Sequence, residues 1–341
     1  MPAPHTSASP AADARPPLLV VISLDVEEEG LFSGCYASRD CGVRNVELLR
    51  KLAPLTDELG FPLTLFCAWT VFASAPARTV LAEMRDRHGA EIGAHLHHWS
   101  TPPLDGQARG GAPARTHLLP RDLLRRRLRT LLTAGRDFQG APLTSFRMGR
   151  WDLKAEVRPL LADEGILVDS SVCPLRAFAG GPDHFLAPPD PYWVEGAPGK
   201  PLLEAPITQV PLLPGMERLW RRLAGGRPGL LDRFHFFGAL SANPFWHGQA
   251  AMRLATRLHV RRGGKVLGLF WHSSEMLPGG SPHVPDEAAA RAALTKIFSF
   301  CRWLRETFAV EGVTLTGLRA LAPELHFPRR GDFSPARGDD W

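Results

Sequence analysis

Leu18-Leu-Val-Val-Ile-Ser-Leu-Asp-Val-Glu-Glu-Glu29 begins as an unbroken apolar run and ends in a cluster of acids. A strand covered on one face alternates apolar and polar residues, whereas a continuous run fits a strand buried on both faces, as parallel strands are. The form recurs. Glu91-Ile-Gly-Ala94 runs into His95-Leu-His-His-Trp99, Thr144-Ser-Phe146 into Arg147, Ile166-Leu-Val168 into Asp169-Ser-Ser171, and Val266-Leu-Gly-Leu-Phe-Trp271 into His272-Ser-Ser-Glu275. In a barrel of parallel strands, residues just past the strand C-termini converge on one face, where such enzymes do their chemistry. Carboxylate, imidazole and guanidinium gathered there read as a hydrolytic metal site.

Helix-like spacing fills the intervals. Leu48, Leu52, Leu55 and Leu59 mark one face, with Pro54 implying a kink or a late start; Val80, Leu81 and Met84, then Leu124, Leu128 and Leu131, then Val157, Leu160 and Leu161 mark others. Strands alternating with helices favour a parallel sheet in an α/β barrel or doubly wound fold. At 341 residues and 44% hydrophobic the chain can bury one full core, and one domain is expected over residues 17–327. Residues 1–16, rich in Ala, Pro and Ser, lack the apolar stretch of a secretory signal and read as a disordered lead-in to a cytoplasmic protein. Residues 173–201, dense in Pro and Gly, read as a long loop without regular structure, in which Phe185, Tyr192 and Trp193 either wall a sugar site or cap the barrel. Val313–Thr316 reads as the final strand, and residues 328–341 as a polar tail.

The charge balance narrows the partners. A formal net charge of +5 arises largely from Arg121 to Arg129, Arg218 to Arg233 and Arg253 to Arg262, each with Leu at helical spacing. Solvated basic helix faces are the plain reading; weak attraction to anionic lipid headgroups or to an acidic or nucleotide-linked sugar is the sharper one. Nucleic-acid binding lacks a recognition motif or aromatic platform, and no run of ~18 apolar residues is present to span a bilayer. Five cysteines without a CxxC pair argue against a disulfide framework; Cys67 and Cys301 read as packing residues, and Cys35 and Cys41 as a loop pair able to bond only under oxidising conditions. No G-x-S-x-G elbow and no phosphate-cradling glycine loop occurs.

Asp25 and Glu27, two apart, share one side of an extended segment, as do His95 and His97. One carboxylate and two imidazoles can bind a divalent cation with positions left for water and substrate, and the second carboxylate is then free to take a proton.

These ordered segments, together with His95-Leu-His-His-Trp-Ser-Thr-Pro-Pro103 and His272-Ser-Ser-Glu-Met-Leu-Pro-Gly-Gly-Ser-Pro282, resemble the polysaccharide deacetylase (NodB-homology, carbohydrate esterase family 4) superfamily over roughly residues 18 to 320, in a divergent subgroup associated with bacterial surface polysaccharide. The resemblance implies an irregular (β/α) barrel of about seven strands with a divalent metal, zinc or cobalt for example, and hydrolysis of an N-acetyl or O-acetyl group on a carbohydrate carrying an acetamido group. Residue by residue it implies Asp25 as base, Glu27, His95 and His97 as metal ligands, Arg147 orienting the base, Asp169 supporting the site, and His272 protonating the leaving amine. Trp99, Trp151 and Glu275 are the expected substrate contacts. Trp99 stands where the family carries its second histidine, so His98 competes with His97, and the roles of Asp25 and Glu27 can be exchanged. A non-carbohydrate amide hydrolase and a catalytically silent glycan- or partner-binding barrel are the alternatives. Metal identity, sugar and oligomeric state stay open.

Overall fold

Asp25 and His272 are direct neighbours across two parallel strands, and so are His95 and Arg147. That register is set by a sheet seen in the computed structural model, which describes residues 16–36, 42–104, 112–333 and 341. Residues 1–15 of the expected lead-in, Cys41, and residues 334–340 of the expected tail lie outside the described residues.

Eleven strands occur among the described residues: β1 Leu18–Val26, β2 Leu63–Cys67, β3 Glu91–Leu96, β4 Ser145–Met148, β5 Val168–Asp169, β6 Tyr192–Ala197, β7 Lys200–Glu204, β8 Gln209–Pro211, β9 Ala239–Ser241, β10 Val266–His272 and β11 Val310–Gly312. Seven of them lie parallel in the order β10-β1-β2-β3-β4-β5-β7, with β6 antiparallel on the outer edge of β7. β11 runs parallel against Leu18–Val20, on β1, while β2 takes Ile22–Val26. β8 and β9 form a separate antiparallel pair.

The ring closes without a ladder. After β7 the chain passes β10 at Thr208, whose N–H donates to the Gly268 carbonyl at 3.0 Å while its Oγ1 accepts from the Gly268 N–H at 2.8 Å. A side chain at Gly268 would stand 2.9 Å from the Pro206 carbonyl, so close backbone approach requires glycine there.

Period-two alternation then sorts the side chains. Leu18, Val20, Ile22, Leu24 and Val26 join the outer core beneath the helices Ala75–His88, Arg121–Gln139, Gln249–Arg261 and Glu287–Thr307. Leu19, Val21, Phe66, Val168, Leu203 and Val266 join an inner core, into which the helix Leu315–Leu325 inserts Leu315, Leu318 and Ala322. Burial on both faces is what the continuous apolar runs demand.

Three local expectations change. Val313–Thr316 is not the last strand. β11 ends at Gly312, and Thr314 caps the following helix by accepting from the Gly317 N–H, because apolar residues at 315, 318 and 322 recur at helical spacing. The 173–201 stretch contains a β-hairpin, β6 and β7 joined through Pro198-Gly199, where Gly199 takes φ 71°. Within it Phe185 is fully buried in a small core with Leu231 and Phe234, Tyr192 is fully buried in the outer core, and Trp193 lies under the Arg319 guanidinium against the inner core, so all three are packing residues. The tail is docked through residue 333: Trp193 N–H donates to the Pro328 carbonyl, and Phe333 meets Tyr192 edge to face. Of the two outcomes Pro54 implied, the late start is the one seen: Arg44–Leu52 winds as a 3-10 helix, and the α-helix Ala53–Asp57 begins with Pro54 in its first turn. Cys67 and Cys301 are buried, as expected of packing residues. No helix among the described residues is long and apolar enough to cross a membrane.

Candidate metal centre

Asp25 and Glu27 leave the end of β1 toward the barrel interior, the side to which Val21 and Ser23 already point. His95 and His97 do the same at the end of β3. One donor atom from each of Glu27, His95 and His97 falls within 4.8 Å of the others. Glu27 Oε2 lies 3.5 Å from His95 Nε2 and 3.3 Å from His97 Nε2, and all three residues are buried.

Each imidazole is oriented from behind. His95 Nδ1 lies 3.0 Å from the Arg147 carbonyl, which can only accept, so Nδ1 carries the proton and Nε2 presents its lone pair to the cluster. His97 Nδ1 lies 3.0 Å from Glu28 Oε1. Glu28 also accepts from Trp99 Nε1, Ser100 Oγ and Thr70 Oγ1. Such outer partners fix the tautomer and raise the basicity of ligating histidines. Burial disfavours a charged His97, yet Glu28 and Glu27 outweigh it and push the ring up to about 10. Proton and cation compete for the same nitrogen. The donor set, two imidazoles with fixed tautomers and one carboxylate, fits a divalent cation.

His98 is not part of this group. Its Nε2 faces the Ala114 carbonyl at 2.9 Å, and burial pulls the ring down to about 4.

Asp25 stands beside the cluster, with Oδ2 3.8 Å from His95 Nε2 and 3.7 Å from His272 Nε2. Arg147 reaches it across the barrel: Nη1 donates to Asp25 Oδ1 at 2.6 Å, Nη2 to Ser23 Oγ at 2.7 Å and Ser170 Oγ at 2.9 Å, and Nε to the Ser170 carbonyl at 3.0 Å. Its guanidinium also lies over the Phe66 ring at 4.5 Å and the Trp151 ring at 5.0 Å. Burial alone would raise Asp25, but Arg147, His95 and His272 bring it down to about 2. His272 moves the other way. Burial opposes its charge, while Glu27, Glu275 and Asp25 lift it to about 9.

Three expected roles change on these contacts. Glu275 is completely buried, with Oε2 2.9 Å from both the His272 N–H and His272 Nδ1, so it orients the imidazole instead of meeting substrate. Trp99 stacks on His97 at 4.3 Å and donates to Glu28, which places it behind the metal-facing ring. Asp169 is not at the mouth. Val168 points inward, so Asp169 points outward, beside Glu204 and bonded to Ser171 Oγ, whose oxygen in turn accepts from the Met148 N–H. It supports the backbone after β4 and does not approach Asp25. Trp151 is inside, edge to face with Phe270 at 4.8 Å, held by a turn in which Arg150 and Trp151 take φ 59° and 55°. Left-handed backbone at two residues with side chains costs about 1–2 kcal/mol each, strain of the kind that collects at functional sites.

Sequence spacing did not single out Glu28, Ser23, Ser170, Gly149 or Phe32. A side chain at Gly149 would overlap the His97 ring. Phe32, which is exposed, meets His272 edge to face at 5.1 Å and forms part of the rim.

No family model matches the chain, and no curated protein does. Solved structures do. A Mycobacterium smegmatis protein assigned as a polysaccharide deacetylase superposes with TM-score 0.56 at 18% identity, covering 97% of this chain and 99% of its own. A Pseudomonas aeruginosa PAO1 protein with the same assignment gives 0.55 at 16% identity, covering 90% and 91%. PuuE allantoinase gives 0.54 at 16% identity, covering 92% and 95%. The likeness is one of fold, and the chain has the NodB-like (β/α) barrel shared by polysaccharide deacetylases and allantoinase.

Proposed function

We propose that the protein is a metal-dependent hydrolase that removes an N-acetyl group from an amino sugar in a polysaccharide, glycolipid or sugar precursor. The observation that carries this reading is the juxtaposition of the Glu27/His95/His97 group with Asp25 on one side and His272 beyond it. Glu27, His95 and His97 would hold the cation. Bound there, it supplies Lewis acidity, polarising a carbonyl and acidifying a water, which a base as weak as Asp25 needs.

The chain's own groups divide the proton work. Asp25 stays ionised at neutral pH, and Arg147 holds its Oδ1 so that Oδ2 faces the cluster. Oδ2 takes a proton from the attacking water as the water oxygen bonds to the amide carbon. His272 is protonated at neutral pH, and Glu275 fixes its Nδ1 so that Nε2 faces the same space. Nε2 gives its proton to the departing nitrogen as the C–N bond breaks, leaving acetate and an amine. General acid and base steps of this kind contribute ~10² to 10⁴ each.

Allantoinase shares the fold, which favours a non-carbohydrate amide as the second reading. Elemental mass spectrometry of the wild type beside His95→Ala and Glu27→Ala tests the centre, and acetate release from N-acetylated sugars tests the substrate. Near-stoichiometric metal lost in both variants, with chelator-sensitive acetate release, supports the proposal. A metal-free wild type after reconstitution overturns the metal mechanism; metal without acetate release moves the substrate to another amide.

A further inference from the structure

Between β8 and β9 the chain builds an excursion whose surface is unlike the rest of the molecule. Six of the ten large apolar side chains exposed among the described residues fall within 212–237: Leu212, Leu213, Leu219, Leu223, Phe236 and Phe237. Isolated exposed apolar residues need no explanation, but a concentration in one segment marks an interaction site. Phe236, at 80%, is the most exposed of them.

The helix Met216–Ala224 shows how the patch arises. Met216 and Trp220 pack on the small core formed by Phe185, Leu231 and Phe234. Leu219 and Leu223, one turn apart on the adjoining row, are 57% and 65% exposed. The apolar stripe is therefore wider than the core it covers. Arg218 and Arg222 form the next row, also exposed, and Arg227 and Arg233 follow in the same segment. Arg262 joins them from outside it, donating to the Pro211 and Leu212 carbonyls.

Acidic groups offset little of this charge. Glu217 and Asp232 are the two carboxylates of the segment and both are half-buried; Glu217 lies at 3.9 Å from Arg218 Nε, and Asp232 is paired with Arg176 at 2.6 Å. A surface whose exposed charges are all guanidinium, interleaved with Leu and Phe, matches an interface that is anionic outside and apolar beneath. That is the chemistry of an anionic lipid bilayer, on which helices with one basic and one apolar face lie in the headgroup plane.

We infer that residues 212–237 dock the barrel peripherally on anionic membrane, with Leu219, Leu223 and Phe236 entering the headgroup layer and Arg218, Arg222 and Arg233 meeting phosphates. The excursion is fastened to the barrel by Arg221 on Asp183 and by Arg176 on Asp232, so docking fixes the whole domain against the surface. The inference does not depend on the reaction catalysed.

Vesicle co-sedimentation of the full chain tests it, using vesicles of phosphatidylcholine alone and of an equimolar mixture with phosphatidylglycerol. The expected result is binding to the mixed vesicles only, weakened by salt. The double variant Arg218→Gln/Arg222→Gln, confined to exposed side chains, should reduce it by about tenfold or more, from the worth of each basic contact near such a surface. Leu219→Asp/Phe236→Asp should abolish it, with circular dichroism and the melting transition reporting that the fold is kept. Absence of binding, equal binding to both vesicle types, or binding untouched by either variant overturns the inference. So does light scattering that shows a lipid-free dimer which Leu219→Asp/Phe236→Asp converts to monomer, because the patch then covers a second copy of the chain.

Discussion

Glu28 Oε1 sits 3.0 Å from His97 Nδ1, and the same oxygen gathers Trp99 Nε1 and Ser100 Oγ. One buried carboxylate thus fixes the His97 ring, the indole stacked on it and the turn after β3. Glu28→Gln removes no ligand, yet metal affinity should fall 10- to 100-fold, the usual cost of losing such a partner. Competition against a chromophoric chelator reads this directly, and unchanged affinity would show that His97 is oriented by packing alone.

His272→Ala should lower kcat by ~10² to 10⁴ while metal content stays at the wild-type level. Loss of metal together with turnover would place His272 among the ligands. In the proposed role of acid His272 would work while protonated, so activity should fall as pH rises through its pKa of about 9. Burial depresses that value, and Glu27 and Glu275 lift it. Glu275→Gln should therefore move the alkaline limb of kcat/KM to lower pH.

Arg147→Met should cost about 3–5 kcal/mol by leaving the Asp25 carboxylate buried without its partner. Denaturant unfolding measures the loss. Arg147→Met/Asp25→Leu, which removes both charges, should recover most of that stability and none of the activity.

Asp169 and Glu204, in register on β5 and β7, both have pKa values raised above the usual carboxylate range, burial being the main cause for both. A raised folded-state pKa means that the native state holds a proton the unfolded chain has released. Its contribution is complete below the unfolded value near 4.5 and is lost as pH rises through the folded one. Stability should then decline as pH rises above that unfolded value, by up to about 1.4 kcal/mol per unit for each retained proton. Glu204→Gln should flatten that slope; an unchanged slope would show that the pair shares no proton.

The strand ends were legible in the sequence because buried parallel strands leave continuous apolar runs, and a polar residue closing such a run stands out. Asp25, Glu27, His95, Arg147 and His272 were named on that ground, and the structure brings them together. Asp169 was named in the same way and faces outward, because spacing gives alternation along a strand but not which parity faces the axis. Two residues, Val168–Asp169, make up β5, too few for alternation to decide. Glu275 and Trp99 were placed at the site but on its substrate side; only three-dimensional contacts show them behind the rings. Glu28 was hidden by its neighbours, since one acid in Glu27-Glu-Glu29 gives no sign that its partners lie about 42 to 72 positions away.

The barrel's joint at Thr208 and Gly268 has a bearing on motion. Elsewhere around the ring, adjacent strands are joined by backbone pairing; here side chains do most of the fastening, Thr208 at Gly268, Asp190 at the Lys265 and Val266 N–H groups, and Asn243 Nδ2 at the Phe270 carbonyl. Local opening is easiest where the fewest bonds break together, so opening of the ring is expected at this joint, on the edge of β10 away from its seven-residue ladder with β1. Arg147, spanning from β4 to Asp25 and Ser170, ties Asp25 to the far side of the barrel. His272 thus sits on the strand that closes the ring, and Asp25, its neighbour across the β1–β10 ladder, is braced from the opposite wall.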